Sequence, residues 1–172
     1  MKKLKQSDNS GFLLTLELVY EKLQERGVEA EITMEDLKCC LSGMQVYNGQ
    51  TQIFSEFLYL TDLEHLREQS SLQYDTRLVV CGMPKEGENL PFSYCIFVPE
   101  SYGMVEILNE LQQIFYEYAC LERKLNHILT EEGTIYEICE AAVEHFRATV
   151  FVHDEFYHMS CPTNGLFCTL KI

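Results

Sequence analysis

The sequence predicts an α/β fold, with α+β the other class its element order allows: a small mixed sheet with flanking helices, one long heptad-patterned helix, then a helix and a hairpin. Three observations predict it. Short apolar runs such as FLYLT, TRLVVCG and FSYCIFVP alternate with short helical patterns. The stretch from Gly103 to Leu129 has no Pro and no internal Gly, and its apolar positions recur at spacings of 4 and 3. Behind it, Thr134 and Glu137 form a T-x-x-E capping box that opens another helical pattern.

Taken in order, Ser10 is placed to cap a first helix carrying Phe12, Leu13, Leu16, Val19, Tyr20 and Leu23 at helical spacing, with Gly27 as its stop. VEAEIT alternates like an edge strand. Thr33 and Asp36 are spaced as a capping box for a short helix running to Leu41, and Gly43 breaks it. In MQVYNGQTQIF, Asn48-Gly49 sits between alternating apolar residues, which predicts a hairpin, because a type I′ turn needs positive φ twice. FLYLT reads as a buried strand, and Asp62 is placed to cap the helix LEHLREQ. TRLVVCG and FSYCIFVP are further strands, separated by the turn region MPKEGENLP.

The long helix is the most informative segment. Its repeat runs through Ile107, Leu111, Ile114, Tyr118, Leu121, Leu125 and Ile128. At 1.5 Å per residue it is about 40 Å long, so it is expected to extend past the small domain before it. Leu108 and Phe115 widen the stripe in its first half, as packing on a sheet requires. Glu122 and Lys124 narrow the second half to a seam of the kind that meets another helix. Next, Ile135, Ile138, Cys139, Ala142, Val143 and Phe146 follow helical spacing, TVFVH reads as a strand, and FYHMS as its hairpin partner. The predicted organisation is an N-terminal α/β sensory domain over 1–102, a connecting helix over 103–129, and an incomplete helix-plus-hairpin unit over 130–172.

Composition excludes several functions. The 172 residues are 47% hydrophobic and 12% aromatic, enough for a core rather than a disordered chain. Thirteen basic against 27 acidic residues give a net charge of −14, a field that repels phosphate backbones and anionic membranes. Direct nucleic-acid binding is therefore not expected, and the apolar runs are far shorter than the ~20 residues a membrane helix needs. MKKLKQSDNSG lacks a signal-peptide cleavage site, so the chain reads as cytoplasmic. Eight Cys with no C-x-x-C pair, several in apolar runs (Cys81, Cys95, Cys139), read as small buried hydrophobes without structural disulfides.

Chemistry-bearing patterns are sparse. His153, Asp154, His158 and Cys161 are the best metal candidates, but in a strand His153 and His158 face opposite sides, and no metal is expected. No G-x-S-x-G, Walker or dinucleotide-binding pattern is present, and the acidic pairs Glu35–Asp36, Asp62–Glu64 and Glu131–Glu132 sit where they complement helix dipoles. The reading is non-enzymatic, with no cofactor. Tyr47, Tyr59, Tyr74, Tyr94 and Tyr102 surround the expected sheet and suit either a small-molecule pocket or an ordinary core rim.

The segment ILNELQQIFYEYACLERKLNHIL followed by GTIYEICEAAVEHFRATVFVHDEFYHM resembles the middle of bacterial PucR/CdaR-type transcriptional regulators, as do the upstream EFLYLTD, TRLVVCGMP and YCIFVPE. In that family such a helix links an N-terminal region to a GAF-like domain. Asp154 fits the family's Asp, while Ala148-Thr149-Val150 stands where Asn-Pro-Ile is usual. The resemblance spans Gln45 to Met159. It implies the sensory portion of such a regulator, without the family's helix-turn-helix segment, taking a small effector; the narrow apolar seam of the long helix points to a homodimer. The seam Tyr118, Leu121, Leu125 and Ile128 is the expected dimer and relay surface. The other reading is a stand-alone interaction protein whose acidic face meets a basic partner.

Overall fold

The computed structural model describes residues 14–34, 40–68, 72–73, 75–88, 90–147, 151–152 and 169–170. In chain order the elements are β1 (Leu14–Thr15), α1 (Leu16–Glu25), β2 (Glu31–Met34), β3 (Cys40–Leu41), β4 (Gly43–Val46), β5 (Phe57–Asp62), α2 (Leu63–Glu68), β6 (Arg77–Cys81), β7 (Tyr94–Val98), α3 (Met104–Thr130), α4 (Ile135–Phe146), β8 (Phe151–Val152) and β9 (Thr169–Leu170). They divide into two compact units, Met1–Tyr116 and Glu117–Ile172, and the division falls inside α3. The fold is the mixed α/β arrangement the element pattern predicts.

The first unit is built on a five-stranded sheet in the order β2-β7-β6-β5-β4. The strands β4 to β7 are parallel, and β2 runs antiparallel to β7 along one edge. Leu58, Tyr59, Leu60, Leu78, Val79, Val80, Cys95, Ile96 and Val98 are fully buried. Such continuous apolar runs are what strands covered on both faces require.

One face carries Tyr59, Leu78, Val80, Cys95 and Phe97, packed with Leu63 and Leu66 of α2 and with loop residues Tyr47, Ile53, Leu72, Met83, Leu90 and Phe92. Loops rather than helices close most of this face. The opposite pleat presents Leu58, Leu60, Val79, Ile96 and Val98. The helices left to cover it are α1 and α3, whose buried stripes are Leu16, Val19, Leu23 and Ile107, Leu111, Ile114. An ion pair of 2.9 Å joins Arg26 to Glu110, and the Tyr102 hydroxyl donates to Gly27 O at 3.0 Å while accepting from Glu29 N at 3.3 Å.

Three local expectations are corrected. The first helix starts at Leu16, not behind Ser10: Leu14 and Thr15 pair with Leu41 and Cys40, and the Thr15 hydroxyl accepts from Leu18 N at 3.2 Å as the cap. That pairing also makes Cys40–Leu41 a strand rather than the end of a helix, and Thr33 pairs with Cys95 in β2 instead of capping. Asp36 lies outside the described residues. Finally, Asn48-Gly49 closes no hairpin, because Val46 pairs with Leu60 in parallel register, and parallel neighbours need a crossover. Gly49 does adopt positive φ, +87°, but inside a loop. Tyr47 donates its N–H to Leu60 O at 2.8 Å and is buried, so the chain is pinned over the sheet before it can turn back.

Asp62 caps α2 as its position predicts, accepting from His65 N at 2.8 Å and pairing with the His65 ring at 2.8 Å. Burial pushes its carboxyl up, but the hydrogen bonds from His65 outweigh that and hold it below its ordinary value. At the other end of α2, Arg67 donates to both oxygens of Glu88, at 2.8 and 2.7 Å, and Lys85 N adds a third donor at 2.9 Å. This clamp ties the β6–β7 loop to α2. The Arg67 guanidinium, then the Lys85 amide, pull the Glu88 carboxyl from 4.5 down to about 2. A depressed folded-state value means the contribution is complete above 4.5 and disappears as pH falls toward about 2. Glu88→Gln is accordingly expected to lower the urea midpoint near neutral pH and to lose that effect progressively across this acidic window. A deficit that stays constant across the window would contradict the clamp.

Candidate relay helix

The helix α3 runs for 27 residues with no break. Of its predicted seam, Ile107, Leu111 and Ile114 are fully buried in the first unit, and Tyr118 and Leu121 are buried in the second. Leu125 and Ile128 are half-buried. The narrow second half does meet a helix, and it belongs to the same chain: the Tyr118 ring lies edge-on to His145 of α4 at 5.0 Å, and Lys124 pairs with Glu144. His145 in turn stacks edge-on against Phe146 at 4.9 Å. Lys124 and its hydrogen bond hold the Glu144 carboxyl below its ordinary value. Cys139 and Ala142, with Val143 beside them, form the small core of this unit.

The turn between the two helices is closed by local chemistry. Glu132 takes a left-handed φ of +54°, and Gly133 N donates to Ile128 O at 2.8 Å. This is the six-to-one bond of a Schellman motif. A Cβ on Gly133 would lie 2.7 Å from the Ile128 carbonyl oxygen, so that position must be glycine. Thr134 and Glu137 then form the predicted capping box: Thr134 N donates to Glu137 Oε2 at 2.6 Å, and Glu137 N donates to the Thr134 hydroxyl at 3.4 Å. These bonds to Thr134, its amide first, hold the Glu137 carboxyl low. Glu132 is the strained member. Glu132→Gly is expected to raise stability by about 0.5–1 kcal/mol by removing a left-handed non-glycine residue, read as a higher melting temperature. Unchanged or lower melting would refute that assignment.

Other candidate residues do structural work. Tyr47 and Tyr59 belong to the sheet core, and the Tyr59 hydroxyl accepts from Phe54 N at 2.9 Å. Tyr94 lies under the Arg77 guanidinium at 5.9 Å. Tyr74 and the set His153, Asp154, His158 and Cys161 lie outside the described residues, as does FYHMS; the described part of TVFVH, Phe151–Val152, pairs with Thr169–Leu170 in parallel. None of Cys40, Cys81, Cys95, Cys120 and Cys139 forms a disulfide. Burial pushes the Cys95 thiol up to about 12, and burial together with the nearby Asp62 charge pushes Cys81 up to about 11. Both are therefore thiols, not thiolate nucleophiles, at neutral pH. Among the described residues no group of three or more His, Cys, Asp or Glu is placed to hold a metal, and no helix is long and apolar enough to cross a membrane.

One feature escaped sequence reasoning. The Thr76 and Ser93 hydroxyls are buried, and neither has a hydrogen-bond partner among the described residues. The register Arg77↔Tyr94 sets them side by side where β6 and β7 begin. Alternation puts them on the pleat of Leu78 and Cys95, the loop-covered face. Nothing in the sequence around either residue marks them, because their pairing arises from the sheet register.

No family model, curated protein or solved structure matches the chain.

Proposed function

We propose that this chain is a non-catalytic, cytoplasmic sensory module of the PucR/CdaR type, in which α3 relays the state of the sheet unit to the GAF-like unit that follows, and which works as a homodimer. The observation that carries this reading is the single uninterrupted helix whose buried stripe passes from one compact unit into the next. Coupling requires an element with two arrangements that both sites bias, and a helix that contributes to two cores is placed to be that element. The effector half of the reading draws on Thr76 and Ser93. Buried hydroxyls in native proteins are almost always partnered, and these two lie under loops, the part of a fold that most readily admits a ligand. The effector is then a small uncharged molecule able to bond two adjacent hydroxyls within apolar surroundings.

Native mass spectrometry of the protein purified from cells tests this. The expected result is a mass above that of the bare chain or its dimer, lost in Thr76→Val/Ser93→Ala. A wild-type mass equal to the bare polypeptide would remove the effector. An alternative reading is an interaction module without ligand, favoured by the exposed Leu129, Ile135 and Tyr136 around the α3–α4 turn; it predicts the bare mass.

A further inference from the structure

The two edges of the five-stranded sheet differ in chemistry. Along β2 the exposed Glu31 follows an exposed Glu29. The other edge, β4, lies within Cys39–Ser55, a run of 17 residues without Asp, Glu, Lys, Arg, His or Pro, the longest charge-free run in a chain of net charge −14. Ser42 and Gln45 are exposed, Val46 is 39% and Phe54 40% exposed, and the Phe54 ring leans on Phe57 at 5.9 Å. Among the described residues no strand pairs with the outer side of β4. Tyr47 donates its N–H to Leu60 O, toward β5, and backbone alternation through the β4–β5 register aims the amides of Met44 and Val46 outward. An open edge is a template for another strand, and proteins that must keep it bare place charge or Pro on it. This edge has neither, while its counterpart in the same sheet has carboxylates.

We infer that β4 pairs antiparallel with β4 of a second copy of this chain across a two-fold axis, joining two five-stranded sheets into one. Charge selects the occupant. Two copies of charge −14 repel wherever their carboxylates face, and this edge is the part of the sheet where they approach with none in line. A basic partner gains nothing from an edge without acids. Val46 and Phe54 supply apolar contact that the self-complementary geometry doubles. The inference rests on the homodimer part of the proposed function and is independent of its effector.

Sedimentation equilibrium at tens of micromolar, on wild type and on Gln45→Lys/Val46→Lys, tests it. The two lysines of each strand would lie opposite or diagonal to those of the other copy, so the dimer dissociation constant is expected to rise by about tenfold or more, with the thermal transition retained. Hydrogen exchange on the wild type gives a reading that needs no variant: the amides of Met44 and Val46 are expected to gain protection as concentration rises from low to high micromolar. A wild-type monomer overturns the inference together with the homodimer, and leaves a strand from another protein as the edge's occupant. A dimer with unchanged exchange at β4, or one undisturbed by the lysines, overturns the β4 interface alone. Retained effector with no dimer would separate the two readings.

Discussion

Replacing Gly82 by alanine is expected to destabilise the sheet unit by about 3 kcal/mol or more, the sum of a backbone and a packing penalty. Gly82 follows β6 at a φ of +126°, a conformation L side chains rarely adopt, and donates its N–H to Val98 O at 2.7 Å. An added Cβ would sit 2.7 Å from the Cβ of Leu63. That atom is the stem of the first residue of α2 and cannot swing aside. The natural control is Gly27→Ala: φ is +81° there too, but no atom lies within 4 Å of an added Cβ. Gly27→Ala should therefore cost only the conformational penalty, about 1 kcal/mol. Urea midpoints of the two variants read the difference. Equal losses would mean that the close approach of Gly82 to α2 carries no energy.

Leu121→Ala is expected to cost about 2–5 kcal/mol and to act on the second unit, since Leu121 is only 4% exposed. Leu129→Ala, at 63% exposure in the same helix, should change stability by no more than about 0.5 kcal/mol. Hydrogen exchange across 117–147 against that of β5 to β7 localises the loss. Had the Tyr118–Ile128 seam been free for a partner helix, Leu121→Asp would give a folded monomer. With Leu121 buried by its own chain, the expected result is loss of structure in the second unit. A folded Leu121→Asp variant with native exchange in α4 would overturn that placement.

The elements most legible in the sequence were those whose cause is local. The Thr134–Glu137 box, the Asp62 cap and the uninterrupted heptad of α3 depend on residues within a turn or two of one another, so spacing alone finds them. The apolar runs of β5, β6 and β7 announced a buried sheet because their composition cannot survive at a surface. Misreadings arose where a distant strand decided the outcome. Cys40–Leu41 looked helical from its flanks and became a strand because Leu14–Thr15 lies beside it. Asn48-Gly49 carries hairpin chemistry, yet the next strand pairs in parallel. The relay seam was legible as a stripe, but not what covers it, since the ring of His145 arrives from another helix. The adjacent hydroxyls of Thr76 and Ser93 are invisible to any local pattern for the same reason.

The order β4, β5, β6, β7 across the sheet is also the order in which those strands leave the ribosome. Each can add to the one made just before it, with only the crossover between them to close. The N-terminal strand β2 is the exception: its partner β7 is synthesised last of the five. Until Tyr94–Val98 has emerged, Glu31–Met34 has no neighbour in this sheet, and loop-closure entropy makes its docking the slow, long-range step. The carboxylates of Glu29 and Glu31 then serve the nascent chain as well as the finished fold, keeping an early-made and long-unpaired strand from finding the wrong company.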